Sequence, residues 1–136
     1  MSAFRKILLN LKLDDDLALV YSARKGVKPR IFYSFAQAAK IPDKSLAKLL
    51  HLHPRTVQNY SDQQKNLDPV QSEHLLKLIS LYTKGEELFG SVDEFNYWLQ
   101  KPFWDSKELP QDLLNTPGGV DLVADEIQRL AHSYVV

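Results

Sequence analysis

The run Asp68-Pro69-Val70-Gln71 and the segment that follows leave little choice of local structure. Asp68 can cap a helix, Pro69 stands at the first helical position where its missing N–H is no loss, and Gln71 can complete a capping box. Leu75, Leu78, Ile79, Tyr82 and Phe89 then form an apolar stripe, and Gly90 offers the left-handed backbone on which helices commonly end. A long helix is therefore predicted between Pro69 and Gly90. Ser91 and Glu94 form a second capping box, and Phe95, Trp98 and Leu99 mark a buried face before Pro102 stops the next helix. Residues 102 to 118, rich in proline and without a regular period, read as an ordered loop with one turn. Thr116-Pro117 can cap a final helix in which Val120, Val123, Ile127, Leu130 and Tyr134 recur at spacings of three and four. That last stripe is narrow and calls for a partner surface.

Helix signals also dominate the first half. Asp14, Asp15 and Asp16 crowd the start of a short helix with Leu17, Val20 and Tyr21 on one face, closed by Gly26 and Pro29. Arg30 to Lys40 places Ile31, Phe35 and Ala38 on one helical face, although Ile31-Phe32-Tyr33 is also a reasonable strand fragment; helix is the preferred reading. Phe4, Ile7, Leu8 and Leu9 make residues 1–13 an arm that serves either as a dimer contact or as a cover for the core. The expected fold class is all-α, an N-terminal helix-turn-helix bundle followed by a second helical region.

The net charge of zero hides a strong polarity. Residues 1–66 carry 12 Lys or Arg against 5 Asp or Glu, and residues 67–136 carry 5 against 12, so the halves stand at +7 and −7. A basic half suits phosphate contacts, since acidic groups there would repel. Two halves that attract each other at a dimer or intrachain interface would look the same. The polar stretch Ser61 to Asn66 coincides with the sign change, which sets the expected boundary between a region 1–66 and a region 67–136. At 136 residues and 44% hydrophobic content, one compact domain or two small ones sharing a core are affordable. The lack of cysteine removes disulfides and cysteine metal sites and fits a reducing cytoplasm. No run of 18 uncharged apolar residues occurs, and the apolar run after Arg5 and Lys6 is broken by Asn10 and Lys12, so neither a membrane span nor a signal peptide is expected.

Residues 45–60 have the spacing of a helix-turn-helix. Leu46, Leu49 and Leu50 face a core, Ala47 is small where two helices must cross, Leu52 fills the turn, Pro54 starts the second helix and Val57 anchors it. Arg55, Thr56, Gln58, Asn59 and Tyr60 are left outside, types that suit guanine (Arg), adenine (Gln, Asn) and phosphate or a thymine methyl (Thr). Lys44 and Lys48 add phosphate-binding charge, within a basic half that also holds Arg24, Lys25, Lys28, Arg30 and Lys40. The plain alternative is a helical hairpin with a solvated outer face. His51 stands where such turns usually carry Gly, at a steric cost. His51 and His53 lack a third ligand at metal spacing, with His74 and His132 distant, so turn and cap roles are expected rather than a metal site. No Ser/His/Asp set, phosphate loop or zinc hydrolase motif is present, and Asp125 and Glu126 read as a solvated or partner-facing surface, so no enzyme activity is expected.

Taken together, Gly26 to Pro29, the segment 45–60, Leu67-Asp68-Pro69, Phe89-Gly90, Trp98-Leu99 with Pro102, Leu109-Pro110, Leu113-Leu114, Thr116, Gly119, Val123, Ile127 and His132 come in an order that resembles the Xre/MbcA/ParS family of type II antitoxins, partners of RES-domain and related toxins. The resemblance covers roughly residues 24–135. Two departures stand in its second half: Phe103-Trp104-Asp105 replaces an Asn and a Gly-rich stretch, and His132-Ser133 replaces a terminal His-Gly. The resemblance implies a cytoplasmic homodimer within a larger toxin–antitoxin complex, which binds a palindromic operator DNA and represses its own operon. It further implies that the C-terminal region holds the toxin and occludes its active site, with Trp98, Trp104, Val123, Ile127, Leu130, His132 and Tyr134 as the toxin-binding residues. The NAD on which such toxins act would belong to the partner, so the chain itself takes no cofactor. A stand-alone repressor with a C-terminal dimerisation region is the alternative.

Overall fold

In the computed structural model, which describes residues 2–11, 15–102 and 107–135, the elements run α1 (Ala3–Leu11), α2 (Asp16–Lys25), α3 (Pro29–Ala39), α4 (Asp43–Leu49), α5 (Pro54–Asp62), α6 (Pro69–Phe89), α7 (Val92–Leu99), a single 3-10 turn (Pro110–Leu113) and α8 (Pro117–Val135). No strand occurs among the described residues, and the expected all-α fold is the one observed. No helix among them is long and apolar enough to cross a membrane.

The punctuation expected for α6 holds, with one change of mechanism. Pro69 opens the helix and Gly90 closes it at φ 93°, donating its N–H to the Glu86 carbonyl at 2.8 Å. Asp68 occupies the cap position, yet its side chain makes no capping hydrogen bond, so proline at the first position starts the helix without the box. Elsewhere the caps form as expected: Asp15 accepts from Ala18 N at 2.7 Å, Ser91 from Glu94 N at 3.1 Å and Thr116 from Gly119 N at 3.0 Å.

Burial of α6 is broader than a stripe. Ser72, His74, Leu75, Leu76, Leu78, Ile79, Leu81, Tyr82, Thr83 and Gly85 are all buried, because α1, α2, α3, α7 and α8 pack around it. One apolar cluster runs from Phe4 through Phe35, Leu46 and Val57 to Tyr82, Phe95, Val123 and Ile127, continuous across the change of charge at residue 66. The arm at the N-terminus covers the core: the Phe4 ring lies 5.9 Å from Phe35 and 5.6 Å from Tyr82, and Ile7 is buried beside it, whereas the Leu9 side chain lies outside the described residues.

Two faces expected from spacing turn out otherwise. On α2 the buried residues are Leu19 and Ala23, while Leu17 and Tyr21 are exposed, the Tyr21 ring lying beneath the Arg24 guanidinium. With apolar side chains at 17, 19, 20 and 21, spacing alone does not distinguish the two faces. On α3, Phe32, Phe35, Ala36 and Ala39 form the buried face, with Ile31 and Ala38 at its flanks. The stripe of α8 finds its partner within the chain: Val120, Val123 and Ile127 are buried against α6, and Leu130 is half-buried.

The approach of α7 to α6 depends on Gly85. A Cβ built there would stand 2.5 Å from the Phe95 ring, which is itself enclosed by Tyr82, Phe89 and Trp98 at centroid distances of 4.9, 5.8 and 6.1 Å. Gly→Ala inside a helix ordinarily stabilises by up to ~1 kcal/mol. Here the overlap should reverse the sign, and G85A is expected to lower stability by about 1–3 kcal/mol, measured as a lower urea midpoint at unchanged slope.

Candidate nucleic-acid interface

The short helices α4 and α5 are joined through a tight turn at residues 50–53, and the residues expected to hold them do so. Leu46, Ala47, Leu50 and Val57 are at most 1% exposed, and Leu49 and Leu52 are half-buried against the same core. The turn passes through His51 at φ 59°, a backbone region where glycine is the usual occupant. Leu52 N donates to the Ala47 carbonyl at 2.8 Å, closing the turn. His53 caps the second helix, its Nδ1 accepting from Arg55 N at 3.1 Å, ahead of Pro54. Both histidines thus serve as turn and cap.

Packing of Val57 inward turns the opposite side of α5 to solvent. Arg55, Gln58 and Asn59 are exposed and Thr56 half-exposed; Lys44 and Lys48 are exposed on α4. Tyr60 is half-buried, with the Lys65 ammonium 4.5 Å from its ring centre. Among the described residues, Arg55, Lys44, Lys48, Lys28 and Arg30 form no ion pair, whereas the acidic partners taken by other cations, Glu87, Asp93, Asp121 and Glu126, all lie on α6, α7 and α8. Cations left unpaired keep their charge for an external anion, and a row of them beside an exposed helix suits a phosphate backbone. Gln58 is not idle: its amide is bonded to Tyr33 and Asp62, a link that spacing did not reveal.

A further pair of contacts ties this unit and α6 to the segment just before the C-terminal helix. His51 Nε2 donates to the Asn115 carbonyl at 2.7 Å, and the buried His74 Nε2 donates to the Leu114 carbonyl at 2.8 Å. The intervening turn is pressed close, since a Cβ on Gly119 would overlap the Leu113 carbonyl oxygen. Neither histidine was assigned this task from sequence; the only hint was a polar side chain on the apolar side of α6.

The residues expected to meet a toxin are dispersed. Trp98 is half-buried among the rings of α6 and α7, His132 is exposed near the end of α8, and Val123 and Ile127 are inside the core, so these two hold α8 in place and present no surface. Trp104 and the Tyr134 side chain lie outside the described residues. Glu126, read as surface, is buried and paired with Arg129. A cleft of about 620 Å³ opens between α4 and the 3-10 turn, bordered by Ser45, Lys48, His51 and Asn96. Asn96 is committed to the Ala39 carbonyl and the Tyr82 hydroxyl, and among the described residues no hydroxyl or carboxylate there is bonded to a histidine.

Residues 18–80 match the family model of the Antitoxin Xre-like helix-turn-helix domain, from α2 to the middle of α6. Comparison with curated proteins gives no match. The matched span makes the first half of the chain an N-terminal helix-turn-helix domain and supports a DNA-binding antitoxin or repressor. It includes the part of α6 that the expected boundary at residue 66 assigns to the other region.

Two outcomes follow. K44A/K48A should make the dependence of log K on log salt shallower by about 2, since each phosphate contact contributes about 0.9 to that slope, in DNA titrations at several ionic strengths. For His74, burial holds the imidazole below its ordinary value, the bond to Leu114 opposes this, and the neighbouring His51 and Lys77 add to it. The unfolded chain therefore takes up this proton at a higher pH than the folded one, so stability should be lost as pH falls below about 6.5. H74Q should flatten that loss in urea unfolding followed between pH 7 and pH 5.

Proposed function

We propose that this chain is the antitoxin of a type II toxin–antitoxin system, a non-enzymatic cytoplasmic homodimer that represses its own operon through α4 and α5 and neutralises a RES-type, NAD-targeting toxin. The observation that carries the DNA-binding half is the exposed outer face of α5 with Arg55, next to the exposed Lys44 and Lys48 of α4, within the span that matches an antitoxin Xre-like domain. Two-fold symmetry of the dimer would set half-sites about one DNA turn apart. The toxin-binding half rests on the order of motifs from Phe89 to His132. Its candidate contacts are Trp98, Leu130 and His132 in the described part of the chain, and Trp104 and Tyr134 remain candidates from the sequence.

One observation favours a stand-alone repressor. The stripe of α8 is already covered by α6, so the C-terminal half needs no partner to bury Val120, Val123 and Ile127.

Co-expression with the protein encoded by the adjacent reading frame separates the two. For an antitoxin, the neighbour alone arrests growth and depletes NAD, this chain restores growth, and the two co-purify. A neighbour that is harmless and does not bind leaves the repressor reading. R55A/Q58A should weaken operator binding at least tenfold and still rescue growth; loss of rescue by that variant would count against separate surfaces for DNA and toxin.

A further inference from the structure

Asp62 is the single acidic residue of α5, and it stands on the helix assigned above to the DNA groove, where a carboxylate repels phosphate. Its bond explains its presence. Gln58 Nε2 donates to Asp62 Oδ1 at 3.0 Å, one helical turn along, and Gln58 Oε1 accepts from the Tyr33 hydroxyl at 3.4 Å, across the packing of α3 on α5. A carboxylate only accepts hydrogen bonds, so the nitrogen of the amide must face Asp62, and the oxygen is left for the tyrosine. Burial, followed by the nearby Asp43 and Asp62 charges, pushes the Tyr33 hydroxyl above its ordinary value and keeps it a donor. The amide is thereby fixed at both ends while Gln58 itself stays exposed.

We propose that Tyr33 and Asp62 are positioning residues that hold the Gln58 amide in one orientation, so that it offers one N–H and one oxygen lone pair to an adenine edge in the major groove. The count supports this. After the two internal bonds, Gln58 retains one donor hydrogen on Nε2 and one acceptor site on Oε1. Adenine presents in the major groove one acceptor, N7, and one donor, N6–H. A glutamine free to rotate would present its amide either way round and would lose rotamer freedom on binding; one held by its neighbours does neither. This inference rests on the reading that α5 enters the groove.

The test is selection of duplexes from a randomised DNA library by the full chain, repeated for four variants whose folding is checked by circular dichroism. Wild type is expected to enrich a motif with an adenine in each half-site, and Q58A to lose that preference. Y33F, which keeps its ring against Phe32 at 5.2 Å, and D62A should relax the same position by about two- to tenfold and no other. D62A should at the same time bind non-specific DNA more tightly, since a negative charge is gone, and D62N, which keeps an acceptor oxygen, should restore the preference. If Q58A relaxes a position that Y33F and D62A leave untouched, the positioning role is overturned and the DNA reading stands. Uniform weakening on all sequences would reduce both residues to structural roles. Failure of the wild-type chain to enrich any sequence would remove the groove assignment and this inference with it.

Discussion

The packing of five helices around α6 is the constraint on which the rest of the structure depends. A helix buried on nearly all sides cannot be held by one neighbour, so α1, α2, α3, α7 and α8 acquire their positions from it. The polar groups that burial would strand on α6 are each used. Ser72 accepts from Val27 N at 2.9 Å and donates to the Leu67 carbonyl at 3.2 Å, Thr83 donates back to Ile79, and His74 reaches Leu114. The bond of Leu67 N to the Val27 carbonyl completes a clasp that fixes the loop before α3 to the start of α6. Gly26, at φ 84°, belongs to that clasp, because a Cβ there would stand 2.6 Å from the Leu67 carbonyl oxygen.

From this frame the helix-turn-helix inherits its rigidity. The helix α3 packs on α6 by one side and on α4 and α5 by others, so the orientation of the exposed helix is set by the central one. Bonds from His51 in the turn and from His74 on α6 to the adjacent carbonyls of Asn115 and Leu114 anchor both to the segment that leads into α8. The left-handed backbone at His51 is thus retained without glycine: its imidazole makes a contact that no glycine provides.

Much of this was legible in the sequence. Pro29, Pro54, Pro69, Pro117, Gly26 and Gly90 mark helix ends by local stereochemistry, which acts within a few residues and so can be read from them. The inward and outward residues of segment 45–60 were equally legible, because Ala47, Leu50 and Val57 leave a single way to pack two short helices. What was not legible depends on partners distant in the chain. The face of α2 is decided by α6, the burial of Val123 and Ile127 by the same helix, and the engagement of Gln58 by Tyr33 on α3. The shift in charge at residue 66 marked a change of surface and not a gap in packing, since charges sit outside a core that runs across it.

The packing of the Phe4 ring against Tyr82 has a consequence for how the chain is made. The first helix closes on a ring that is synthesised long after it, and Phe35 waits for the same ring at 5.3 Å. A nascent chain that has emerged only as far as Asn66 carries every residue of the helix-turn-helix and none of the helix that covers its core. Contacts so distant in sequence form late. The emerging first half, rich in positive charge, can pack α3, α4 and α5 on one another but lacks the helix that covers their shared core, so the DNA-facing unit is completed only when α6 and the acidic half arrive.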